Sequence, residues 1–161
     1  MKLRKAKLVD VEAMLALING YADQGLMLPR SRNTLYEHIR EFVLAEQEET
    51  LLGVGSLHIV WNDLAEIRAL AVAPEFKGKG IGTGLVKALV EEAMDLGIEQ
   101  VFALTYQPGF FERCGFQLAT KEQMPHKVWK ECINCPKFPN CDEVAVILPL
   151  YGESISRRRR Q

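Results

Sequence analysis

No stretch of this sequence is apolar for the roughly 20 residues that a membrane-spanning helix needs. The basic start, Met1-Lys2-Leu3-Arg4-Lys5, is not followed by the apolar region of a signal peptide. A surplus of either charge is also missing. Lys and Arg total 20 against 21 Asp and Glu, a formal net charge of −1, so no global field draws the chain to nucleic acid or to an anionic membrane. Cysteine is scarce: Cys114, Cys132, Cys135 and Cys141 are the whole set. In a chain without an export signal these read as thiols or metal ligands rather than disulfides. No internal repeat and no long linker interrupts the sequence. These absences point to a cytoplasmic protein with one domain over residues 1–152 and a basic tail, 153–161, whose run Arg157–Arg160 is expected to be disordered. What is present, 48% hydrophobic and 25% charged residues over 161 positions, suffices for one real core.

The hydrophobic periods divide the chain. Met1–Ala6 reads as a short strand. Asp10 is placed to cap a helix whose Val11, Met14, Leu15, Ile18 and Ala22 fall on one face. Gly25 breaks that helix, and Thr34 with Glu37 forms a capping-box pattern for a second, carrying Leu35, Ile39 and Phe42. Strands follow at Val43–Gln47 and Leu51–Trp61, and Asn62-Asp63 turns the chain into Leu64–Val72. Pro74, lacking an amide donor, ends that strand. Gly82–Leu96 is a helix with Val86, Leu89, Val90, Ala93 and Leu96 on one side, and Val101–Thr105 is a short apolar strand. Pro108–Arg113 suggests a short helix, Cys114-Gly115-Phe116 a turn into a strand, and Val144–Leu148 the last strand. This order predicts an α/β (mixed α+β) fold, a mostly antiparallel central sheet flanked by helices.

The segment Val72-Ala73-Pro74-Glu75-Phe76-Lys77-Gly78-Lys79-Gly80-Ile81-Gly82-Thr83-Gly84 carries the chemistry. Alternate glycines let the backbone approach a ligand without Cβ obstruction. They also bring free amides to a helix N-terminus, whose partial positive charge favours an anion. Lys77 and Lys79 add mobile positive charge, so phosphate or pyrophosphate is the natural occupant. No Gly-Lys-Ser/Thr closes the segment, which excludes a Walker loop, and the glycine spacing is not that of the dinucleotide fingerprint.

Lys77-Gly78-Lys79-Gly80-Ile81-Gly82 resembles the Arg/Gln-x-x-Gly-x-Gly/Ala signature of the GNAT acetyltransferase superfamily, and it follows an apolar strand ending in Val-x-Pro as that family's does. Phe110-Phe111-Glu112-Arg113-Cys114-Gly115-Phe116 resembles the family's Phe-Tyr-x-x-x-Gly-Phe element. Two positions depart from it. Lys77 stands where Arg or Gln is usual, and Phe111 stands where many members have a Tyr proposed to protonate the leaving thiolate. The resemblance implies a GNAT-like fold and acetyl-CoA as acetyl donor. It implies that amides from Lys77, Gly78, Lys79, Gly80, Ile81 and Gly82, with the Thr83 hydroxyl, hold the pyrophosphate. The pantetheine arm would run along Leu70, Ala71 and Val72, where a splayed strand would leave an amide for the thioester oxyanion.

Acetyl transfer to an amine needs the amine neutral, which a nearby carboxylate can arrange. Period two puts Glu66 and Arg68 on one face of the strand Leu64–Val72, with Ile67 and Ala69 on the other. Glu66 resembles the family's strand carboxylate and is the candidate base; an internal salt bridge between strands is the competing role. Thr105 and Tyr106 end the strand beside the expected thiolate, and neither is a compelling acid.

Three further stretches resemble the short, stand-alone N-acetylglutamate synthases of bacterial arginine biosynthesis: Leu28-Pro29-Arg30-Ser31-Arg32, Glu66-Ile67-Arg68-Ala69-Leu70-Ala71-Val72, and Met124–Pro136 around His126, Trp129, Cys132 and Cys135. That resemblance implies L-glutamate as acceptor. A substrate with two carboxylates needs cationic partners, and Arg30, Arg32, Arg68 and Lys127 are the candidates. The longer synthases carry an amino-acid-kinase-like domain that is missing here, so feedback by arginine is not implied.

Cys132-x-x-Cys135-x5-Cys141 has a second spacing too short for a zinc knuckle, and His38, His58 and His126 form no metal-like spacing, so no metal site is expected. An exposed strand near the C-terminus is the candidate edge for a homodimer. Two rival functions stay open: acetylation of another small amine or a protein N-terminus, and a CoA-binding regulatory module without turnover.

Overall fold

The structure, a computed structural model, describes residues 1–120 and 143–150. The described residues form strands β1 (Lys2–Lys5), β2 (Phe42–Gln47), β3 (Thr50–Trp61), β4 (Leu64–Val72), β5 (Gln100–Thr105), β6 (Gln117–Ala119) and β7 (Val144–Pro149), with helices α1 (Val11–Ala22) and α2 (Arg32–Glu37) between β1 and β2, α3 (Ile81–Leu96) between β4 and β5, and α4 (Pro108–Arg113) between β5 and β6. Hydrogen bonding orders the strands β1-β2-β3-β4-β5-β7-β6. The β1–β2, β2–β3, β5–β7 and β6–β7 pairs are antiparallel and β4–β5 is parallel, which is the mixed sheet expected. His126, Lys127, Trp129, Cys132, Cys135, Cys141 and Arg157–Arg160 lie outside the described residues. No helix among the described residues is long and apolar enough to cross a membrane.

The chain forms two compact units, one of Met1–His58 with Ile67–Glu92 and one of Ile59–Glu66 with Ala93 onward. In the first, Val11, Met14, Ile18 and Tyr21 of α1, Leu35 of α2, Phe42 and Leu44 of β2, Val54 of β3 and Ala71 of β4 form the core. Each large side chain so buried contributes roughly 1.5–3 kcal/mol. Helix α3 lies directly on the backbone of β3, because Gly53 and Gly55 present no side chain there. A Cβ at Gly53 would stand 3.0 Å from Leu85 Cδ1 and 3.1 Å from the Ala71 carbonyl oxygen. One at Gly55 would stand 3.0 Å from Leu70 Cδ1 and 3.1 Å from Leu89 Cδ1. In the second unit Leu64 and Phe102 pack with Val60, Leu104, Ala119 and Ile147. There Phe111 meets Phe110 and Phe116 edge-on, each at 5.2 Å between centroids.

Five expectations need correction. Asp10 precedes α1 but does not cap it with its side chain; its carboxylate accepts from the Lys7 amide at 2.7 Å and from Arg4, closing the 3₁₀ turn Leu8–Asp10. Helix α2 starts one turn earlier than the Thr34–Glu37 box implies, because Ser31 is its cap and accepts from the Thr34 amide at 3.1 Å. It is also shorter: Ile39 falls in a 3₁₀ turn and Phe42 begins β2. In α3, Val86, Leu89 and Ala93 are buried as expected, but Ile81 and Leu85 join them, Val90 is only half-buried and Leu96 is exposed. Finally, the regular pleat of β4 does not extend through Ala69, whose φ is +54°.

Candidate active site

Strand β4 carries both halves of the expected site and has two distinct parts. From Leu64 to Glu66 it is in parallel register with β5, Glu66 opposite Phe102. Ala65 and Ile67 are buried while Glu66 and Arg68 are half-buried, so the two charged residues share a face as period two requires. The pleat then breaks. Ala69 adopts a left-handed conformation, which costs a residue with a Cβ about 1–2 kcal/mol. The adjoining Arg68 carbonyl accepts a hydrogen bond at 3.0 Å from the hydroxyl of Ser56, a buried residue of β3. A side chain thus satisfies a backbone group at the irregularity.

The end of β4 is held firmly. Tyr21 of α1 donates its hydroxyl to the Val72 carbonyl at 2.5 Å, and the Ala73 amide donates to the Leu52 carbonyl at 2.8 Å. The chain turns through a 3₁₀ segment, Pro74–Phe76, and reaches α3 by way of Gly78 and Gly80, each at φ +79°. These φ values are the reason for glycine, since a Cβ built at either position meets nothing within 4 Å. The loop backbone is therefore open toward solvent on the side where a ligand could approach.

At the start of α3 the Gly84 amide donates to the Gly80 carbonyl at 3.0 Å. By helix geometry the amides of Ile81, Gly82 and Thr83 have no acceptor within the helix, and they sit at its positive end. Lys77 and Lys79 are exposed, with the Lys77 ammonium 4.9 Å from the Tyr21 ring centroid and that of Lys79 5.4 Å from Phe76. Two cations are parked on aromatic faces beside a cluster of amides. This arrangement fits a multiply charged phosphate group and has no use for an apolar ligand.

The candidate acceptor cations lie in different settings. Arg30 is half-buried, and its backbone amide and carbonyl are both bonded to the Asn19 side chain, at 3.0 and 3.1 Å. Arg32, in the first turn of α2, grips the exposed Glu12 carboxylate with two bonds of 2.5 and 3.0 Å. Neither the Asn19 clamp nor the Glu12 partner is legible from spacing alone; Glu12 lies 20 residues from Arg32.

Among the acid candidates, the Thr105 hydroxyl accepts from the Gln107 amide at 2.8 Å and is almost buried. Phe111 is 4% exposed within its aromatic trio, so that position serves packing.

Known proteins resemble this chain in sequence and fold. The Acetyltransferase (GNAT) family matches residues 11–116. An uncharacterized N-acetyltransferase of Chlorobaculum tepidum is 41% identical over 148 residues, 92% of this chain and 96% of that protein. An amino-acid acetyltransferase of Mycobacterium tuberculosis is 41% identical over 117 residues, 71% of this chain and 67% of that protein. Among solved structures, the N-acetylglutamate synthase of Neisseria gonorrhoeae complexed with coenzyme A and N-acetyl-glutamate superposes with a TM-score of 0.85 at 29% identity, covering 94% of this chain and 35% of that one. The loop before α3, the parallel step from β4 to β5 and these likenesses agree, and the chain belongs to the acetyltransferase (GNAT) family, as an acyltransferase.

Proposed function

We propose that the protein transfers the acetyl group of acetyl-CoA to the α-amino group of L-glutamate, the N-acetylglutamate synthase reaction that opens arginine biosynthesis, in the cytoplasm. The observation that carries this reading is the loop at Gly78–Gly82, where two left-handed glycines lead open backbone into the amino end of α3. Similarity to an amino-acid acetyltransferase and to a glutamate-acetylating synthase supports the choice of acceptor.

Acetyl-CoA supplies an acyl thioester, already activated toward an amine. The amides from Lys77 to Gly82 and the Thr83 hydroxyl hold its pyrophosphate, and Lys77 and Lys79 leave their aromatic faces to add charge. The backbone of Leu70, Ala71 and Val72 aligns the pantetheine arm, with Tyr21 keeping the last of these residues in place. Glu66 takes a proton from the substrate ammonium, directly or through one water, so that the amine attacks as a neutral nucleophile. A carbon–nitrogen bond forms, the nitrogen releases its second proton to solvent, the carbon–sulfur bond breaks, and the thiolate takes a proton from solvent. Phe111 can supply none. Arg30, Arg68 and Lys127 pair with the two carboxylates of glutamate; Arg32 joins them by exchanging Glu12 for the substrate. No residue of the chain is acetylated on the way.

Free-thiol release from acetyl-CoA tests this reading, with L-glutamate compared against glutamine, aspartate, lysine and spermidine. Selective turnover with glutamate is expected. Turnover with a different amine would move the protein to another acceptor while keeping the donor site. Binding of acetyl-CoA without turnover of any would make it a regulatory module.

A further inference from the structure

Three metal-ligating side chains converge in the first unit, at positions the acetyl-transfer reading does not use. His38 closes α2, Glu41 lies in the 3₁₀ turn that follows, and His58 stands on β3. His38 Nδ1 is 3.0 Å from Glu41 Oε2, and His58 Nδ1 is 3.2 and 3.3 Å from its two carboxylate oxygens. The imidazole rings meet edge-on at 6.1 Å between centroids. One donor atom from each of the three residues lies within 4.8 Å of the others, and all three residues are half-buried.

We propose that His38, Glu41 and His58 form a binding site for one divalent transition-metal ion of the zinc type. The geometry requires little rearrangement. A tetrahedral ion with bonds of about 2.0–2.1 Å separates its ligands by about 3.3 Å, and the imidazole–carboxylate separations are already 3.0 to 3.3 Å. Only the two imidazole nitrogens have to close toward one another within the 4.8 Å envelope.

The donor set selects the metal. Two imidazoles and one carboxylate suit zinc, cobalt, nickel or copper, whereas magnesium and calcium take oxygen. On binding, each Nδ1 exchanges its carboxylate contact for the ion, with the ring proton carried on Nε2. Three protein ligands leave a fourth position for water or a small anion. The occupied site would tie the end of α2 to β3, and so steady the helix that begins with Arg32.

Sequence spacing does not announce this cluster. His38 and Glu41 are three residues apart, a helical-turn separation with many ordinary uses, and His58 arrives from another strand, 17 residues beyond Glu41.

The test is zinc titration of the full chain by calorimetry, after metal has been removed and the thiols blocked with iodoacetamide, because four cysteines would otherwise compete. One zinc ion per chain is expected. His38→Gln/His58→Gln should lose it, and Glu41→Gln should weaken it at least about tenfold, since even an outer-shell partner is worth that much. No zinc binding by the parent protein, or equal binding by the double variant, would overturn the site and leave a hydrogen-bonded triad. Proton NMR of the folded parent protein gives a second reading should the double variant fail to fold. With imidazole signals assigned from the single variants, those of His38 and His58 should move on zinc saturation. A response confined to His126, or none, would overturn the proposal.

Discussion

Two pairs of glycines in the first unit do opposite things. Gly53 and Gly55 lie on β3 with neighbours so close that a Cβ would stand 3.0 Å from them; Gly78 and Gly80 lie in the loop with no neighbour within 4 Å. The strand pair is glycine because α3 occupies the space, at backbone angles that need no special residue. The loop pair is glycine because of its angles, both at φ +79°, and the space beside it is left open. One pair serves packing and the other serves an approach from outside. On the proposed reading, the difference separates residues that build the domain from residues that would hold the donor, although all four are the same amino acid.

Substitutions should break the two pairs in different assays. The largest loss of stability is expected for Gly53→Val, because one of the atoms it meets is the Ala71 carbonyl oxygen, which cannot swing aside. Overpacking of this kind costs about 3 kcal/mol, visible as a lowered midpoint in urea unfolding. Gly80→Asp should lower that midpoint only modestly, at a cost of about 1 kcal/mol for a Cβ at φ +79°, yet weaken acetyl-CoA binding on the order of a hundredfold by calorimetry, as a carboxylate is set against the pyrophosphate. Normal affinity would remove the loop from the donor site. Gly55→Ala should cost less than Gly53→Val, about 1 kcal/mol, since Leu70 and Leu89 meet it with flexible ends. Gly78→Ala is the mildest: about 1 kcal/mol from its left-handed angle, with a small loss of donor affinity. A severe folding defect there would blur the distinction between the pairs.

Much of this is legible in the sequence. Strand β4 runs from Leu64 to Val72 and α4 from Pro108 to Arg113, as the sequence pattern predicts, because Asn62-Asp63 and the prolines at 74 and 108 punctuate them unambiguously. The glycine loop before α3 is legible because an ordinary turn has little use for glycine at alternate positions. Local signals that compete are harder. Ser31 and Thr34 both stand three residues before a group they could pair with, and only the fold decides that Ser31 caps α2. The left-handed Ala69 has no signature at all, since alanine is ordinary in a strand; the irregularity is expressed instead in Ser56, twelve residues before Arg68. The cluster of His38, Glu41 and His58 is hidden for the same reason, being assembled by strand β3 rather than by spacing.

The central claim, that β4 brings a base to the amine while the loop after it holds the donor, is tested most directly by Glu66→Gln. Turnover with L-glutamate and the dissociation constant for acetyl-CoA should be measured on the same preparation near neutral pH. The account predicts that turnover falls by about 10²–10⁴, the usual contribution of a general base, while donor affinity stays within about twofold of the parent. Unchanged turnover would contradict it and require another group to deprotonate the substrate.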